Sequence, residues 1–233
     1  MTQPTGLRRP RLLDAFCCIG GAARGYQQAG FHVTGIDLRP MPDYCGDVFI
    51  QGDAVEYIRA HGAEYDFIHA SPPCQGEGAP TKGSNAARNA LLGRDHPRLI
   101  APTRTALDGT GRPYVMENVA GSEVRKDLRL CGEQFGLAVL MHRYFELGGW
   151  STPRPAHPAH RGRVRGWRHG AYYDGPYIAA YGKGGGKGSV QEIQQAKGID
   201  WSADHFNLRE ALPPAYTRWI ADAFLASMTE VAA

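Results

Sequence analysis

No stretch of the 233-residue chain approaches the roughly 18 consecutive apolar residues of a membrane span. Met1 to Arg11 lacks the apolar run of a secretion signal, so a cytosolic (cytoplasmic) protein is expected, with no membrane partner. Cysteine is sparse: positions 17, 18, 45, 74 and 131 make an odd count without framework spacing, which argues against a disulfide scaffold. None of the five forms a zinc-like pair. His157 and His160 are spaced His-x-x-His, yet no cysteine or acid lies close enough in sequence to complete a site, so no metal is expected. Internal repeats are absent too.

What is present is ordinary in bulk. Hydrophobic residues make up 42% and charged residues 21%, enough for one core, as one large domain or one with a small appendage. The net charge of +3 is unevenly placed. Between Ser151 and Lys187 stand seven cations, Arg154, Arg161, Arg163, Arg165, Arg168, Lys183 and Lys187, against Asp174 alone. Trp167, Tyr172, Tyr173 and Tyr177 are interleaved with them, a composition suited to neutralising phosphates and stacking on bases. A solvated basic loop would carry the same charge.

Strand and helix patterns alternate. Arg11 to Phe16 reads as a strand, Gly20-Gly21 as a tight turn and Ala22 to Ala29 as a helix. Phe31 to Ile36 is a second strand, ending at Asp37 about 20 residues after the glycines, where an acid reaches a ribose hydroxyl in dinucleotide-type folds. Asp53 is placed to cap a helix running through Arg59, and Tyr65 to Ala70 is the next strand. Leu99 to Leu107 looks helical. Pro113 to Met116 is a strand whose end carries Glu117-Asn118. Leu137 to Leu147 reads as one or two strands, or a hairpin crossing back over the sheet, and Ala215 to Met228 as a closing helix. This alternation predicts an α/β fold, its largely parallel sheet covered on both faces. Trp150 to Gly188 shows no repeat, and its glycines, Gly182 to Gly188, read as a flexible segment. The expected organisation is residues 1–149 as the catalytic and cofactor-binding part, 150–188 as a small basic insertion and 189–233 returning to the first part.

The most informative stretch is Ser71-Pro72-Pro73-Cys74-Gln75. Two prolines fix φ and remove two donors, so the loop leaves its strand stiff and extended, able to present a thiol at the carboxyl edge where open α/β sheets do their chemistry. With Asp14-Ala15-Phe16-Cys17-Cys18-Ile19-Gly20-Gly21 before it and Glu117-Asn118-Val119 after it, three strand-end motifs stand in order. In these the chain resembles the DNA cytosine carbon-5 methyltransferases, whose cofactor turn reads Asp-x-Phe-x-Gly-x-Gly-Gly, whose nucleophile loop reads Pro-Cys-Gln and whose later strand ends in Glu-Asn-Val. The resemblance covers Leu12 to about Leu147 and resumes at Gly198 to Ile220.

That resemblance implies a Rossmann-like, S-adenosylmethionine-dependent methyltransferase fold with a very small target-recognition insertion. It also implies S-adenosyl-L-methionine as cofactor and double-stranded DNA, its target cytosine flipped out, as partner. Cytosine carbon-5 is a poor nucleophile, and a thiolate adding to carbon-6 makes it a better one. Cys74 is the candidate thiolate and Glu117 the acid steadying ring nitrogen-3. Arg143 falls where the family carries the last arginine of Gln-x-Arg-x-Arg, and Val139 and Met141 replace the other two. The implied cofactor contacts are Phe16, Ile19, Gly20, Gly21, Asp37, Leu38, Asp53, Ala54 and Pro72. The implied substrate contacts are Ser71, Pro73, Gln75, Asn118, Arg163, Arg165 and Arg168.

Departures from the family pattern matter. Cys18 stands in place of the first turn glycine, which requires the turn to tolerate a side chain. Gly76-Glu77-Gly78 follows the nucleophile loop where an aromatic residue and a serine are usual. Leu212 to Thr217 resembles the ending of compact phage-type members, and about 40 residues of insertion imply a short or degenerate recognition site. A monomer is expected, and any restriction nuclease partner is left open. An RNA substrate, transfer of a modified donor group and a non-catalytic DNA-binding relative are the alternatives.

Overall fold

The computed structural model describes residues 8–73, 98–168, 170–180 and 188–231. Cys74, Gln75, Glu77 and the glycines 182–186 lie outside the described residues, as does the side chain of Arg168.

Nine strands and six helices follow one another among the described residues: β1 (Arg11–Ala15), α1 (Gly21–Gln28), β2 (His32–Asp37), β3 (Val48–Gln51), α2 (Ala54–His61), β4 (Phe67–Ala70), α3 (Ile100–Gly109), β5 (Tyr114–Asn118), β6 (Leu128–Leu130), β7 (Arg143–Gly148), β8 (Gly166–Arg168), β9 (Ala171–Tyr173), α4 (Val190–Lys197), α5 (His205–Glu210) and α6 (Pro214–Val231). The main sheet has the order β3-β2-β1-β4-β5-β7-β6. The first five strands run parallel, and β7 is antiparallel to both of its neighbours.

Period-two alternation sends neighbouring residues to opposite faces. Leu12, Phe67 and Val115 enter one cluster with Tyr26 of α1 and Tyr216, Ile220 and Phe224 of α6. Leu13, Ile68, Tyr114 and Met116 enter the other with Val55 and Ile58 of α2 and Leu107 of α3. Both faces are therefore covered, as the alternation of elements predicts. A third cluster joins Ile19, Val139, Met141 and Ile178 to α4 and α5 through Ile193 and Leu208.

Some local expectations need correction. The 137–147 region holds no hairpin of its own: β7 starts at Arg143 and pairs with β6, with Leu130 opposite Arg143. Trp150 belongs with the sheet, its indole N–H donating to the Tyr114 carbonyl at 3.0 Å and its ring meeting Phe67 edge-on. Inside the insertion, β8 and β9 form a separate two-stranded hairpin. Helix α4, absent from the expected elements, starts at a capping box, Ser189 to Glu192.

Lys197, fully buried on α4, gives all three ammonium donors to carbonyls at the end of α5: Leu208 at 2.7 Å, Arg209 at 2.9 Å and Ala211 at 2.8 Å. Burial pulls its pKa down to about 7, and the three carbonyls hold the proton against that pull.

Helix α6 docks on α1 at unusually short range. A Cβ at Gly25 would lie 2.1 Å from Thr217 Oγ1 and 2.2 Å from the Pro214 carbonyl, so only glycine fits. Gly25→Ala is expected to destabilise the fold by roughly 1–3 kcal/mol through overpacking. Urea unfolding of the two proteins measures this, and equal midpoints would show that the helices part without cost.

Candidate active site

Register brings the functional strand ends level. Ala15 pairs with Ala70, and Ala70 with Met116, so Phe16, Ser71 and Glu117 follow next to one another along the carboxyl edge. From the antiparallel side β7 delivers Arg143, because Asn118 pairs with Tyr144. A small cavity of about 40 Å³ is lined by Asp14, Phe16, Cys18, Ser71, Glu117 and Arg143, and by Glu210 to Leu212 from the C-terminal segment. That volume holds one or two waters.

Glu117 is 8% exposed. Arg143 Nε lies 2.8 Å from its Oε1, an ion pair whose N–H is not aligned as a hydrogen bond, and Oε1 has no hydrogen-bond partner. Burial raises the Glu117 pKa, and nearby Glu210 adds to the rise, while Arg143 and the Ser71 hydroxyl oppose it. The protonated acid is thus favoured relative to an exposed glutamate.

Behind Ser71 runs a buried relay that no sequence motif marks. The Ser71 hydroxyl is 2.9 Å from His69 Nε2, and His69 Nδ1 is 3.0 Å from the Tyr26 hydroxyl. His69 is fully buried, and desolvation lowers its pKa to about 3, so the imidazole is neutral and carries one donor and one acceptor. Tyr26 and Ser71 take one each. The unfolded chain binds a proton on this histidine below about pH 6.5 and the folded chain does not until about pH 3. Stability is therefore present above pH 6.5 and falls as the pH drops through that window, by about 1.4 kcal/mol per unit. Denaturation midpoints measured from pH 7 to 4 should fall more steeply in the wild type than in His69→Gln; parallel slopes would remove His69 as the cause.

The turn after β1 is strained at two residues that are not glycine. Cys18 sits at φ +49° and Phe16 at φ +62°, a left-handed region costing non-glycine residues about 1–2 kcal/mol. Asp37 holds the turn, accepting from the Cys18 N–H at 3.1 Å and the Arg39 N–H at 3.0 Å. Its oxygens retain lone pairs for further donors. Leu38 beside it is 70% exposed, an apolar side chain standing open at the strand end. Asp14, fully buried, leaves Oδ2 without a partner and faces the same cavity. In the sequence Asp14 is only the first residue of the Asp-Ala-Phe-Cys motif.

Other expected contacts are committed elsewhere. The Ile19 side chain is buried in the third cluster, and its carbonyl accepts the Trp201 indole N–H at 2.8 Å, so only its backbone faces the turn. Arg24 stacks over the same indole. Gly20 packs against Cys45 and Gly21 against the Leu212 backbone, which is reason enough for both glycines. Asp53 caps α2 by accepting the Glu56 N–H at 2.9 Å, and Ala54 is buried beneath it. Asn118 spends its amide on structure, donating to the Pro72 carbonyl at 2.8 Å and accepting the Val119 N–H at 2.9 Å. It pins Pro72, two residues before Cys74, beside Glu117. Pro72 is buried and Pro73 half-buried.

In the insertion, Arg165 pairs with Glu192 of α4 rather than standing free, whereas Arg163 lies over the Tyr173 ring. Trp167 and Tyr172 meet edge-on at the tip of the β8–β9 hairpin, 67% and 55% exposed. A basic cleft of about 330 Å³ lies between Lys126, Arg129, Tyr144, Arg154, Pro155 and His157. The expectation of no metal rested on sequence distance, and the fold removes that distance: Cys131 and His142 come together with His157 and His160.

No protein-family profile and no curated protein matches this chain. Among solved structures, the Entamoeba histolytica methyltransferase EhMeth is 11% identical, with a TM-score of 0.58 over 95% of this chain and 99% of that one. The chain therefore has the Rossmann-like methyltransferase fold. The S. pombe Dnmt2 methyltransferase is 18% identical over 61% of this chain, with a TM-score of 0.41. An E. coli prophage protein described as a DNA modification methyltransferase is also 18% identical, over 59% of this chain, with a TM-score of 0.42. The matched regions span about half the length of these last two proteins, 53% and 46%.

Proposed function

We propose that this chain transfers a methyl group from S-adenosyl-L-methionine to carbon-5 of a cytosine turned out of duplex DNA. The observation that carries the reading is the meeting of Ser71, Glu117 and Arg143 at one sheet edge, with Asn118 tying the Pro-Pro-Cys loop to the strand that bears Glu117.

The residues at the first two strand ends fit the cofactor. Asp37 has acceptor capacity for ribose hydroxyls, Phe16 and the exposed Leu38 offer apolar surface to an adenine, and the unpartnered Asp14 oxygen suits an ammonium group. When bound, S-adenosylmethionine supplies an electrophilic methyl on a sulfonium.

The chain's own residues prepare the base. The Cys74 thiolate forms a bond to carbon-6, and the electron pair of the 5,6 double bond moves into the ring, towards nitrogen-3 and carbon-5. Glu117 donates a proton at nitrogen-3, so charge does not accumulate there. Arg143 holds the resulting carboxylate. After methylation, water takes the carbon-5 proton, the 5,6 double bond re-forms and expels the thiolate, and nitrogen-3 returns its proton to the Glu117 carboxylate, leaving the enzyme unchanged.

Extrusion of the base costs a few kcal/mol. The cations of the 330 Å³ cleft and the exposed Trp167–Tyr172 pair are suited to offset this through phosphate contacts and stacking. The insertion has few rigid polar side chains for reading base edges, in keeping with a short recognition site. Incubation with isotopically labelled S-adenosylmethionine and matched DNA and RNA oligonucleotides, followed by mass spectrometry of the nucleosides, tests the reading. 5-Methyldeoxycytidine in the DNA supports it. Label only in RNA, a different added group, or none refutes it.

A further inference from the structure

The sulfur of Cys131 and one nitrogen each of His142, His157 and His160 all lie within 4.8 Å of one another. Cys131 Sγ is 3.6 Å from His160 Nε2, and His142 Nε2 is 3.2 Å from His157 Nε2. A tetrahedral zinc ion with bonds of about 2.0–2.1 Å to nitrogen and about 2.3 Å to sulfur separates its ligand atoms by roughly 3.3 Å (N to N) and 3.6 Å (S to N). Both measured separations match. We propose that these four side chains form a closed binding site for a zinc-class divalent cation.

The fold builds the site from parts distant in the chain. Leu130 pairs with Arg143 across β6 and β7, so Cys131 and His142, the next residues outward, are neighbours across the same ladder. The chain after Trp150 then returns over them. Its path is held without metal by the Gln134 amide donating to the Ala156 carbonyl at 3.0 Å and by the Arg161–Glu133 ion pair at 2.9 Å. Pro155 and Pro158 flank His157 and limit the chain entropy lost when it is fixed. Burial is graded from Cys131, fully enclosed, to His160, exposed, which leaves an entry path for the ion.

Four protein ligands leave no position for an activated water, so the site is structural. It fastens the extended start of the insertion to β6 and β7, one residue from Arg143. A thiolate with a divalent ion adds one net positive charge beside the basic cleft that His157 also lines, of the sign that favours a polyanion.

The test uses the full chain without a polyhistidine tag, in reductant. Elemental analysis should find about one zinc per chain after extensive dialysis. Cobalt(II) substitution should give the intense visible bands of a tetrahedral site and a near-ultraviolet thiolate-to-cobalt band. Cys131→Ser should lose the thiolate band, and a His157→Ala/His160→Ala double variant, checked for folding by circular dichroism, should lose the metal. Zinc at background even after incubation with zinc chloride, or equal stoichiometry in the double variant, would overturn the site.

Discussion

Cys74→Ala is expected to abolish methyl transfer, by at least about 10⁴-fold or ~5.5 kcal/mol, while S-adenosylmethionine binding and folding persist. The other thiols offer no substitute. Cys17 is buried and its pKa is driven up mainly by desolvation; the same cause pushes Cys18 and Cys45 up to about 11. A thiol so shifted is almost wholly protonated at neutral pH and is a poor nucleophile. Calorimetric donor binding alongside a radiolabel transfer assay measures both halves of the expectation. Turnover within tenfold of wild type would remove the covalent step from the mechanism.

Glu117→Gln should depress kcat by about 10²–10⁴-fold, the usual contribution of a positioned acid. The amide keeps the shape and its place beside Ser71 and Arg143, yet it cannot deliver a proton to nitrogen-3. Because burial raises the Glu117 pKa, the wild type holds more of the acid form than an exposed glutamate would at the same pH. Its rate should fall as pH rises through that pKa, and the glutamine variant should show no such limb. A variant with an unaltered rate, or one that keeps the limb, would assign the proton to another group.

Local chemistry made much of this legible in the sequence. The strand, turn and helix from Arg11 onward, the Asp53 cap and the strand ending at Glu117 all follow from short-range pattern, and the structure has them within a residue or two. What escaped depends on contacts between distant positions. His69 is one residue of an apolar strand, and only the packing of α1 brings Tyr26 to it. Cys131 and His142 become neighbours through an antiparallel ladder, whereas the sequence suggested a hairpin within 137–147. Asn118 was expected at the substrate, and its use as a brace for Pro72 is set by a loop that crosses from the adjacent strand. Arg165 reads as a free cation until α4, absent from the expected elements, supplies Glu192.

The indole of Trp201 donates its N–H to the Ile19 carbonyl in the turn after β1. That makes it a built-in optical gauge. A ligand settling on this turn is expected to shift the emission of Trp201, read as the difference spectrum in a variant in which the other three tryptophans, Trp150, Trp167 and Trp219, are replaced.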